Sequence, residues 1–64
     1  MTIEDRLYKI YLEAEHPFRT EDQEKIIVSG YFKKKYWVRF TYFKQMKVLI
    51  ALNTITEERL TYQY

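Results

Sequence analysis

The chain has no cysteine, which removes disulfide staples and thiolate metal sites together. That lack fits a reducing compartment. One glycine and one proline leave few of the residues that turns favour. There is one histidine, His16. A Ser29–His16–acid triad can be drawn on paper, but nothing in the spacing brings the three together. The acid pairs Glu4–Asp5, Glu21–Asp22 and Glu57–Glu58 are adjacent residues that point in different directions, and none has metal-ligand spacing. No glycine-rich phosphate loop occurs. These absences point away from an enzyme and imply no cofactor.

Long apolar runs are missing too. Val48–Leu52, "VLIAL", is far shorter than the roughly 20 residues that span a bilayer. The start, "MTIEDRLYK", carries acids where a secretion signal has basic residues. The expectation is a soluble, cytoplasmic protein with no membrane association.

What is present is aromatic. Phe, Trp and Tyr make up 19% of the 64 residues, and apolar residues 47%. So short a chain buries a modest share of its surface, and large rings supply packing that a small core otherwise lacks. Self-association is the other common remedy.

The local patterns predict one small α+β domain over residues 1–64. Thr2 can cap a helix whose first turn holds Glu4 and Asp5, where the helix dipole favours acids. Ile3, Leu7, Ile10, Tyr11 and Ala14 fall on one face of it. Pro17 resists helical geometry in the residue before it, so the helix is expected over about 2–15. Residues 16–24, "HPFRTEDQE", read as a polar connection anchored in the core by Phe18. Thr20 and Gln23 also match a capping box, which would start a second helix and make the later hairpin a wing. The β-branched and aromatic content of "KIIVSGYF" favours a strand from Lys25 instead.

From Tyr36 the alternation is clear. Tyr36, Val38, Phe40 and Tyr42 form one face; Trp37, Arg39, Thr41 and Phe43 form the other. A turn near Lys44–Met46 leads to Val48, Ile50 and Leu52 as a further apolar face, matched by Ile26, Val28 and Phe32 in the first strand. After a turn at 53–58, "RLTYQY" closes the chain. Gly30 reads as a bulge or a close packing point. The expected fold is the helix packed on an antiparallel meander of three or four strands over about 25–64.

Charge is unevenly placed. Net charge is +2, yet residues 31–47 hold six cations and no acid, while the remainder holds five cations and nine acids. Such segregation can produce a strong local field on a nearly neutral protein. In and just after "YFKKKYWVRFTYFK", across residues 31–47, the candidate contacts are Lys33, Lys34, Lys35, Trp37, Arg39, Lys44 and Lys47, with Tyr31 and Phe43 as extensions. Cations meet phosphates and flat rings stack on unpaired bases, so the pattern suits single-stranded or structural nucleic acid. No named RNA-binding motif matches. The same side chains are enriched at protein interfaces, which suits a small accessory or inhibitor protein of viral or mobile-element style that caps an acidic surface on a larger protein, or a homodimer. The plainer reading is structural: strands favour aromatic and β-branched residues, and lysines guard sheet edges.

Overall fold

A computed structural model describes residues 2–33 and 36–64. The elements are helix α1 (Ile3–Glu13) and strands β1 (Glu15–Glu21), β2 (Lys25–Phe32), β3 (Tyr36–Phe43), β4 (Val48–Asn53) and β5 (Arg59–Gln63). The strands form one antiparallel sheet in the order β1-β2-β3-β4-β5. The α+β class and the helix-on-meander architecture follow, but the sheet has five strands and not three or four.

The extra strand is β1, which occupies the expected connection. Every residue in it is exposed, so a half-buried alternation never forms in its sequence. Phe18 is therefore no core anchor: it is 54% exposed and pairs with Ser29, on the face away from the helix. The helix stops at Glu13, and Ala14 is already extended. Thr2 caps it as expected, its hydroxyl accepting the Asp5 N–H at 3.2 Å.

The core lies between α1 and one face of the sheet. Leu7, Ile26, Val28, Tyr42 and Leu49 are buried, with Ile3, Ile10, Tyr11 and Phe40 packed around them. Ile26 pairs with Tyr42 and Tyr42 with Leu49, so the inward positions run straight across three strands. Gly30 acts as a packing point: a Cβ there would collide with the Cβ of Ala14. The bulge lies opposite it in β1, between Glu15 and Phe18.

One apolar set was expected on the wrong face. Leu49 is the buried residue of β4, so Val48, Ile50 and Leu52 point to the side opposite the helix. The run "VLIAL" is apolar at both parities, and alternation within it cannot choose a face. The register with β3 chooses.

The turns manage without glycine. Lys33, Lys47 and Glu57 take left-handed backbone conformations, at φ 54°, 54° and 64°, which carbon-β residues adopt at a cost. Polar side chains assist. Asp22 Oδ1 accepts the N–H groups of Glu24 and Lys25, both at 2.8 Å. Asn53 Oδ1 accepts those of Ile55 at 3.0 Å and Thr56 at 3.2 Å.

Leu7→Ala should destabilise the protein by ~2–5 kcal/mol, read as a lowered midpoint in urea; an unchanged midpoint would mean the helix is not docked on the sheet. Glu57→Gly should raise stability by up to about 1 kcal/mol, because left-handed strain is relieved at some cost in chain entropy. A loss of stability would contradict the strain assigned to that turn.

Candidate functional site

One helix, about 10–12 Å across, covers little more than two strands spaced at roughly 4.8 Å. Helix α1 lies over β1 and β2. The opposite face of the sheet has no helix among the described residues to cover it. The pairing orders that face into rows. One row runs Phe18, Ser29, Arg39, Leu52, Arg59, and the next runs Thr20, Ile27, Thr41, Ile50, Thr61. Tyr31 pairs with Trp37 at one end; Lys25, Phe43, Val48 and Gln63 form the row at the other. Across β2–β5 these open-face positions include no acid.

The rings and cations are arranged with some economy. Tyr31 and Trp37 meet at 6.2 Å between ring centroids, tilted by 37°, and Trp37 is half-buried. The Trp37 carbonyl accepts the Thr54 N–H at 2.9 Å and the Thr54 hydroxyl at 3.0 Å. The turn between β4 and β5 thus holds that part of β3 in place. Arg39, Thr41, Phe43, Ile50, Leu52 and Arg59 line a depression in the middle of the face. Arg39 and Arg59 flank Leu52 in one row, two strands and so about 10 Å apart. Among the described residues neither guanidinium has a hydrogen-bond or ion-pair partner.

The candidate contacts are only partly gathered. Trp37 and Arg39 lie on the open face, with Phe43 and Tyr31. Lys33 is exposed in the turn after β2, and Lys47 in the turn after β3, at opposite ends of the sheet. Lys34 and Lys35 lie outside the described residues. Lys44 is committed elsewhere: its Nζ donates to Glu21 Oε2 and to the Asp22 carbonyl, both at 2.8 Å. It ties the β3–β4 turn to the end of β1. Arg59 was missed because the sequence places it beside Glu57 and Glu58, far from the cationic segment. Ile27, Val48, Ile50 and Leu52 were missed with the register.

Glu21 is the electrostatic hub of that tie. Lys44 and then Arg19, which donates to its Oε1 at 2.8 Å, hold its carboxyl below the usual value. The Lys25 and Glu24 N–H groups do the same for Asp22. No group of three or more His, Asp or Glu among the described residues could hold a metal ion. No helix among them is long and apolar enough to cross a membrane. Comparison with protein-family models, curated proteins and solved structures finds no match.

Both carboxyls have depressed values in the folded protein. Their contribution is therefore complete above the ordinary 4.5 and 3.8 of the free side chains and is lost as pH falls below them. Thermal melts should show a stability plateau above about pH 5 and a decline below it. Glu21→Gln should make that decline shallower, and an identical acid limb would remove Glu21 from the account.

Proposed function

We propose that the protein is a non-enzymatic binding module that takes single-stranded nucleic acid across the open face of its sheet. The observation that carries this reading is the acid-free face of β2–β5, where Arg39 and Arg59 stand unpaired on either side of Leu52 and the Tyr31–Trp37 pair sits at one end. Guanidinium groups recognise phosphate in a planar, bidentate way. Bases lie on rings, at ~1–3 kcal/mol per stacked base. In this arrangement the strand crosses the β-strands, with a phosphate near Arg39 and Arg59 and a base over Trp37. Lys33 and Lys47 extend the positive field at the two ends, and Lys44 serves as a strut. Lys34 and Lys35 belong to the same cationic segment.

A second reading is favoured by Ile27, Val48, Ile50 and Leu52, which make the middle of the face more aliphatic than phosphate recognition requires. An apolar centre rimmed by Arg, Trp, Tyr and Phe is the anatomy of a protein interface. The partner would be a larger protein offering a complementary acidic surface.

Titration with a short single-stranded oligonucleotide, followed by Trp37 fluorescence, separates the two. The nucleic-acid reading expects quenching, a steep loss of affinity with salt, and a salt slope shallower by about 0.7 in Arg39→Gln or Arg59→Gln. Trp37→Ala, read by the anisotropy of a labelled oligonucleotide because the chain holds no other tryptophan, should weaken binding about tenfold, as loss of one stacked base would. A flat fluorescence signal at low salt would abandon this reading and leave the protein-interface one.

A further inference from the structure

The sheet has two edges, and β1 is far more heavily guarded than β5, whose one charge is Arg59. On β1, Pro17 has no N–H to offer, His16 is forced to φ 51°, and a bulge interrupts the pairing between Glu15 and Phe18. Arg19 and Glu21 follow, bonded to each other at 2.8 Å. Proline, bulges and charges are the usual means of keeping an edge from pairing. On β5, "RLTYQ", there is no proline and no bulge, the pairing with β4 is regular, and every residue is exposed.

The direction of the β5 backbone groups follows from its hydrogen bonds. Asn53 N–H donates to the Glu58 carbonyl at 2.8 Å, and Tyr64 N–H to the Lys47 carbonyl at 2.8 Å. Residues 58, 60, 62 and 64 thus turn their amides toward β4. Alternation turns the N–H and C=O groups of Arg59, Thr61 and Gln63 outward.

We infer that β5 is a homodimer edge: it pairs antiparallel with β5 of a second copy about a two-fold axis at Thr61, joining two sheets into one of ten strands. The occupant is a second copy because the edge is self-complementary. With Thr61 opposite its own mate, Arg59 faces Gln63 and Gln63 faces Arg59, so all three outward residues exchange both of their bonds. Centring on Leu60 or Tyr62 would leave some of them unused. The side chains agree on both faces. On the helix side Leu60, 59% exposed, meets Tyr62, 46% exposed, in two aliphatic–aromatic cross-strand pairs of a stabilising kind. On the open face threonine meets threonine, and arginine meets glutamine, with no like charges opposed. An isologous contact of this type closes on itself and leaves the guarded β1 edges outermost. It also joins the two open faces into one continuous surface.

The absence of cysteine makes the axis directly measurable. Sedimentation of the full chain should show a concentration-dependent rise from 8.0 kDa toward twice that mass. Thr61→Pro removes the two central N–H donors without touching a bond to β4, and should remain monomeric where the unmodified chain is dimeric. Thr61→Lys opposes two charges at the axis and should weaken the dimer several-fold. Thr61→Cys should form a covalent dimer on mild oxidation, since facing Cα atoms there lie about 5.5 Å apart. Arg59→Cys should not, because its mates are about 14 Å apart along the strand. A monomer up to millimolar concentration overturns the inference, even if oligonucleotide still quenches Trp37. So does a dimer indifferent to Thr61→Lys, or equal cross-linking at positions 59 and 61. A Thr61-centred dimer that ignores oligonucleotide supports it while refuting the nucleic-acid reading.

Discussion

The structure depends on the seating of Leu7 over Ile26, Val28, Tyr42 and Leu49. In a pleated sheet one inward residue sets the parity of its whole strand, and the pairing passes that choice to the neighbouring strands. Once Tyr42 lies between Ile26 and Leu49, Trp37, Arg39 and Phe43 must face away, and Ile50, Leu52 and Arg59 must share their side. The open face is thus the complement of a small core, defined by the same contacts.

That dependence separates what the sequence made legible from what it hid. The helix, the strand from Lys25, the turn at Lys44–Met46 and the two faces of β3 could be read locally, because periodicity or residue type marks each one. β1 could not: an edge strand with both faces wet has neither alternation nor apolar content, and its ladder to β2 is a long-range fact. The face assignment of β4 failed for the opposite reason, since five apolar residues in a row satisfy either parity. Arg59 became a candidate only when the pairing brought it level with Leu52 and Arg39. The lysine triplet dominated the linear view, yet among the described residues the cations that stand on the open face itself are Lys25, Arg39 and Arg59.

The turns show how a chain with one glycine folds as a five-stranded meander. Left-handed positions fall to Lys33, Lys47 and Glu57, each costing some stability, while Asp22 and Asn53 side chains hold backbone amides that would otherwise lack partners. Lys44 adds a long-range clasp to Glu21 and Asp22. Its engagement changes the weight of the cationic segment: one lysine closes the sheet corner, and Lys33 and Lys47 sit at opposite ends instead of forming one patch. On the proposed nucleic-acid reading, phosphate contacts would therefore rest on the arginines more than on the lysines.

The aliphatic strip and the lightly guarded edge are best considered together. Strand propensity alone accounts for rings and β-branched residues on a face, and threonines opposite Ile27 and Ile50 satisfy it. It does not call for Leu52 between two unpaired guanidinium groups, nor for a regular β5 without proline or bulge in a chain that guards β1 with proline, bulge and charge. In a domain with five buried apolar residues among those described, apolar surface turned outward adds little to folding. It acquires a stabilising role only when a second surface covers it or a ligand lies across it. In the proposed dimer, pairing at β5 would bring the two open faces edge to edge and set Arg59 of each copy beside Gln63 of the other, so the geometry that closes the dimer would also lengthen the track offered to an extended polyanion under the nucleic-acid reading.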